Sequence, residues 1–239
     1  MHADKILVIY EFRFRSGSTK QFMLRLKKPR LDLEPSAKKE YPSWTRLTHH
    51  QCPNCPLDPK KHAHCPVAAQ MAEAVEYFKD RVSTEEADIT VLGESREYYK
   101  RAAIQEGVSS LMGLYMVTSG CPVLNRLRPL VHTHLPFATM KETMFRAVSM
   151  HLLAQYFLQK RGRRPDWRLK NLVRLYEQIQ QVNRAFVQRL LSIGPRDASL
   201  NALVGLDCFA TATAFAIADH SLEEIEPLLH AYLQEPAVD

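Results

Sequence analysis

Hydrophobic and polar positions alternate at the start of the chain. Ile6, Val8, Tyr10, Phe12 and Phe14 take every second place, and after Ser16-Gly17-Ser18 the same period returns at Phe22, Leu24 and Leu26. A period of two broken by small residues predicts a β-hairpin with one apolar face. Its other face carries Arg13, Arg15, Arg25 and Lys27, which reads first as the solvated side of a half-buried sheet. The pattern then lapses. Residues 29–66 include Pro29, Pro35, Pro42, Pro53, Pro56, Pro59 and Pro66, a density that neither a helix nor a central strand tolerates. An irregular stretch of this length needs something to hold it.

From Pro66 the period becomes helical, with Val67, Met71, Ala74, Val75, Phe78 and Val82 on one stripe. Asp88 to Leu92 reads as a strand that joins the hairpin's sheet, extended by the segment around Tyr98 and Tyr99. After about residue 103 the pattern stays helical. Ile104–Thr118 and Met140–Lys160 are apolar almost all round and end at Gly120 and Gly162, as core helices do. Asp166 offers an N-cap for a helix to Ile193 with one long stripe, Leu169 through Leu190. Asp197 caps an Ala-rich helix to about Ala218, and Ser221 a short one through Leu233. The fold class is α+β, mostly α: a small N-terminal antiparallel sheet, a proline-rich Cys loop and a bundle of five to six helices. Residues 1–100 form the β-containing region, with the Cys/Pro-rich loop at 48–66 and one helix, and 101–239 the bundle, as one cooperative unit.

Composition is that of a globular chain, 46% hydrophobic and 24% charged with a formal charge of +6. The local runs say more than the total. Lys160, Arg161, Arg163, Arg164, Arg168, Lys170 and Arg174 cluster within 160–174, and the tail from Asp219 onward is acidic. Together with Arg13, Arg15 and Arg25 these cations could bind nucleic acid. Aromatic residues are not interleaved with them, and solvated or internally paired charge is the commoner outcome. The longest weakly polar stretch, Cys208 to Ala218, is too short to cross a bilayer, so no membrane is expected. Five cysteines with no hydrophobic leader before them suggest a reducing, cytoplasmic setting.

The strongest chemical signal is the placement of those cysteines. Cys52-Pro53, Cys55-Pro56, Cys65-Pro66 and Cys121-Pro122 put proline after four of the five. A C-x-x-C pair can hold one metal ion or cluster from a single turn, and the prolines reduce the entropy lost when ligands converge. Pro66 suits the first helical position, which leaves Cys65 at the N-cap, where the helix dipole favours a thiolate. Lys60 and Lys61 lie nearby to offset negative charge. The 2+1+1 spacing of Cys52, Cys55, Cys65 and Cys121 suits an iron–sulfur cluster slightly better than zinc. A Cys3His zinc site, with His62 or His64 replacing Cys121 and with His49 and His50 also in the loop, is the alternative. Buried thiols, or a redox disulfide without metal, are a third reading. Cys208, beside Leu206, Phe209 and Ala210, reads as core.

The motifs Gln51-Cys52-Pro53-Asn54-Cys55-Pro56-Leu57, Cys65-Pro66-Val67-Ala68, Ser119-Gly120-Cys121-Pro122 and His134-Leu135-Pro136-Phe137-Ala138 together resemble an uncharacterised bacterial family, a domain of unknown function. The resemblance covers nearly the whole chain. It implies that the four Cys-Pro steps act as one unit, and implies no reaction or partner.

A second constellation is weaker. His132 and His134 fall on one side of an extended segment with Glu142 one turn into the next helix, which would suit a small-molecule enzyme or ligand-binding pocket near His134 and Glu142. Gln105, Gln155, Asn183 and Asn201 fall on or beside apolar helical faces, where they form either a polar network or a pocket lining. The eight glycines form neither G-x-G-x-x-G nor a P-loop, and the chain has no G-x-S-x-G or H-E-x-x-H, so the usual signatures of nucleotide, hydrolase and metalloprotease chemistry are missing.

Overall fold

The computed structural model describes residues 4–34, 40–194, 197–218 and 222–234. Five strands form one antiparallel sheet: β1 (Lys5–Phe14), β2 (Thr19–Lys27), β3 (Asp32–Leu33), β4 (Glu86–Leu92) and β5 (Glu97–Ala103), in the order β3-β2-β1-β4-β5. The alternation fixes which face is buried. Tyr10, Phe12, Phe22, Leu24, Leu26 and Ile89 are all almost fully buried, while Arg13, Arg15 and Arg25 stand in water. Arg13 pairs with Glu11 at 3.5 Å and Arg15 with Glu86, so part of the basic face is internally compensated. Gly17, at φ +83°, supplies the left-handed turn between β1 and β2. The segments around Asp88 and Tyr98, expected as one strand, are two strands of a second hairpin, paired from Glu86↔Ala103 to Leu92↔Glu97.

Two helices cover the buried face. α1 (Pro66–Tyr77) starts with Cys65 at its N-cap and Pro66 in its first turn, as the sequence predicts. It presents Met71, Ala74 and Val75. Phe78, just past its end, stacks edge-on against Phe12 with ring centroids 5.1 Å apart. Val82 lies beyond the helix and is exposed, so the stripe ends earlier than expected. α2 (Ile104–Thr118) packs against β3, β4 and β5. It comes so close at Gly107 that a Cβ there would lie 2.7 Å from both Ile89 Cδ1 and Phe12 Cε1.

The rest is helical. A 3-10 segment (Leu124–Thr133) leads to α3 (Met140–Lys160), α4 (Lys170–Leu191) and α5 (Asp197–Ala218), followed by short 3-10 turns and the four-residue α6 (His230–Leu233). This is the expected α+β, mostly α architecture. The start expected at Ser221, and part of the acidic tail, lie outside the described residues.

Three helical expectations need correction. α3 has the expected ends, with a capping box from Thr139 and Glu142, but it is not a core helix: Phe145, Leu152, Leu153, Tyr156 and Phe157 are exposed. α4 begins at Lys170, after Leu169 in the left-handed region. Asp166 instead accepts the Asn171 N–H at 2.6 Å, tying down the preceding turn. α5 packs on α4 and α2. Its span Asp197–Ile217 is, by length and composition, apolar enough to cross a membrane, so the shorter stretch from Cys208 understates it. Cys208 itself is exposed, not core.

Candidate functional site

The cysteines expected to act together line one small cavity. Cys52 and Cys55 come from the loop, Cys65 from the N-cap of α1, and Cys121 from the turn after α2. The loop is held locally: the Cys55 N–H donates to the Cys52 carbonyl at 3.0 Å, and the Cys65 N–H to the Thr45 carbonyl at 2.8 Å. Gly120, at φ +97°, supplies the left-handed residue that turns the chain into Cys121. Val67, Val123, Val182 and Phe186 complete an apolar wall around a space of about 20 Å³.

Burial sets the chemistry of these thiols. It pushes Cys52 up to about 12, with Cys65, Cys121 and Cys55 adding to the effect and Arg189 opposing it. Burial also raises Cys121, against the backbone N–H groups of Leu124 and Val123, which favour its thiolate. Without a cation bound among them, these two groups are neutral thiols at pH 7.

Arg189 is the site residue that the sequence reading missed. It is 1% exposed, yet among the described residues its guanidinium hydrogen-bonds carbonyls: Nη1 donates to Trp44 O at 2.6 Å and Arg46 O at 2.8 Å, and Nη2 to His50 O at 3.5 Å. Among the described residues no carboxylate pairs with it, and its electrostatic partners are Cys65, Cys52 and Cys55. The signal was available, because Arg189 continues the α4 stripe of Val182 and Phe186 at i+7 and i+3, where an isolated cation is costly. Lys60 and Lys61, expected to supply this charge, are exposed and do not line the cavity.

The histidine alternatives lie elsewhere. His62 is exposed. Nδ1 of His64 is 2.7 Å from the Thr45 hydroxyl, and Nε2 of His49 is 2.7 Å from the Ser192 hydroxyl. Neither His49, His50, His62 nor His64 lines the cysteine cavity. Among the described residues no three His, Cys, Asp or Glu converge closely enough to hold a single metal ion as they stand.

The second constellation divides. His134 is half-buried, with Nε2 2.6 Å from the Tyr10 hydroxyl. His132 is exposed in the last turn of the 3-10 segment and His134 caps its end, so the two do not share an extended segment. Glu142 is exposed and held by the Thr139 N–H at 2.8 Å, so it forms no pair with His134. Gln105, Asn183 and Asn201 line a second, larger cavity, whereas Gln155 accepts the Asp166 N–H at 2.9 Å.

Fold and site together define an α+β chain, a small antiparallel sheet packed with helices, in which four cysteines of the proline-rich loop, the start of α1 and the turn after α2 line one cavity against α4. The chain belongs to the family described as a domain of unknown function, DUF6901, whose profile matches residues 8–230. No curated protein and no solved structure matches it.

Proposed function

We propose that this is a metal-binding protein whose four thiols, Cys52, Cys55, Cys65 and Cys121, hold an iron–sulfur cluster. The observation that carries the reading is the Arg189 guanidinium, buried beside these thiols with no carboxylate partner among the described residues. A buried cation is strongly unfavourable until an anion compensates it, and thiolates on a metal cluster provide one. Metal binding also removes the protons that burial otherwise keeps on Cys52 and Cys121.

The 2+1+1 spacing of the four cysteines supports a cluster over a single zinc ion. Backbone N–H groups directed at Cys121 are of the kind that tune a cluster's potential. The ligands come from the loop, the start of α1 and the turn after α2. Loss or redox change of the cluster therefore removes one of the loop's ties to the bundle and leaves those through Arg189, which suits a redox or metal-responsive role.

Anaerobic purification with visible absorption and quantification of iron, sulfide and zinc tests this. The expected result is coloured protein with iron and acid-labile sulfide in equal amounts. Colourless protein with one tightly held zinc rejects the cluster, and metal-free protein whose stability is unchanged by iron, sulfide or zinc rejects a metal role altogether.

A further inference from the structure

The second cavity shares no lining residue with the cysteine cavity. It lies among α2, the 3-10 segment, the start of α3, α4 and α5, and has a volume of about 490 Å³, within the range of about 300–1,000 Å³ usual for small-molecule sites. Its walls are mainly apolar, with Leu114, Leu127, Val131, Ile179, Leu206 and Phe209 among them.

Three polar groups set it apart from a packing defect, which would be apolar and dry. Arg146 lines it, donating from Nη2 to Leu130 O at 2.9 Å and from Nε to the Thr133 hydroxyl at 3.5 Å. No carboxylate pairs with Arg146 among the described residues. Glu142, one turn earlier, is held by Thr139, and Glu106, which also lines the cavity, is paired with Lys100 at 2.6 Å. Asn183 is 1% exposed and its Oδ1 has no partner. An orphaned buried amide oxygen costs about 1–3 kcal/mol, so a donor belongs there, and for an occupant that only accepts hydrogen bonds it is a water held beside it. His134 completes the set as a neutral imidazole engaged with Tyr10.

We propose that this cavity binds an amphipathic monocarboxylate, with its head on Arg146 and its apolar body along the α2 and α5 walls. Arg146 has no carboxylate in direct contact, only the exposed Glu142 acting on it from further off, and one such cation balances one negative charge. His134 adds no second charge, so a phosphate dianion is left half-neutralised. The inference does not depend on the metal reading.

Isothermal titration of the full chain at pH 7.5 with octanoate, octanol, octylammonium and octyl phosphate tests it. Octanoate is expected to bind at least tenfold more tightly than octanol, octyl phosphate no more tightly than octanoate, and octylammonium not at all. Arg146→Met should reduce octanoate to the level of octanol while leaving octanol unchanged, which also shows that the variant is folded. At Gly113 an added Cβ meets nothing closer than Leu206 Cδ2 at 3.5 Å, so Gly113→Leu grows into the cavity and should weaken both ligands tenfold or more. Absent octanoate binding, octanol equal to octanoate, or tighter octyl phosphate overturns the proposal. So does a carboxylate preference that survives Arg146→Met, or binding indifferent to Gly113→Leu.

Discussion

The Tyr10 hydroxyl lies 2.6 Å from Nε2 of His134, and the same oxygen is 2.7 Å from the Ser110 hydroxyl. A central strand, a bundle helix and the segment before α3 therefore meet at one phenol. Burial first, and the Arg146 charge second, push the His134 imidazole down to about 4, against about 6.5 in an unfolded chain. Above pH 6.5 both states hold it neutral and its full contribution to stability is present. As pH falls from 6.5 towards 4 the unfolded chain takes up the proton and the folded one does not, so stability falls.

His134→Gln keeps a hydrogen-bonding side chain and removes this titration. The gap in unfolding free energy between wild type and variant, from urea titrations, should shift by about 2 kcal/mol against the wild type between pH 7.5 and pH 4.5. A gap that does not change with pH means that His134 titrates normally.

Arg189→Met leaves the Trp44, Arg46 and His50 carbonyls without their donor. In metal-free protein it should cost on the order of 2–4 kcal/mol by urea unfolding. Lys60→Ala and Lys61→Ala, on the exposed loop, should stay within about 0.5 kcal/mol. A silent Arg189→Met would show that the guanidinium does not anchor the loop.

Two glycines on α2 should respond in opposite directions to alanine. Gly107→Ala pushes a methyl group into Phe12 and Ile89, and should destabilise by about 1–2 kcal/mol even after the gain in helix propensity. Gly113→Ala meets only ordinary contact with Leu206 and should be neutral or stabilising by up to ~1 kcal/mol. Equal melting temperatures for the two variants would contradict the close approach of α2 to the sheet.

The exposed face of α3 gives a fourth test. Leu153→Gln and Phe157→Gln should alter unfolding free energy by no more than about 0.5 kcal/mol. By contrast, Leu172→Ala in the buried stripe of α4 should cost about 2–5 kcal/mol. A large loss at Leu153 would return α3 to the core.

What the sequence made legible follows from local physics. The period-two run to Phe14 set the sheet's inner face, Gly120 and Gly162 closed α2 and α3, and the Cys-Pro steps marked thiols that do share a cavity. Azimuth was legible only where a helix has two chemically different faces. α4 does, and its stripe was identifiable. α3 mixes polar and apolar residues around its whole circumference and α5 is apolar almost all round, so nothing local indicated that Leu153 and Cys208 face water. The larger cavity was harder still. Its polar set joins His134 to Arg146 on α3 and Asn183 on α4, and no local period encodes that meeting.

The strand ladder has one more consequence. Tyr10 is registered opposite Phe22 on β2 and Val91 on β4. Side chains alternate, so a slip of one residue would bring Ile9 or Glu11 to the place where the phenol now stands. One neighbour would leave His134 facing hydrocarbon, and the other would give it a carboxylate and invite its proton. Backbone amides that never touch the cavity thus select the functional group behind it, and errors of strand pairing would be read out there as a change of charge.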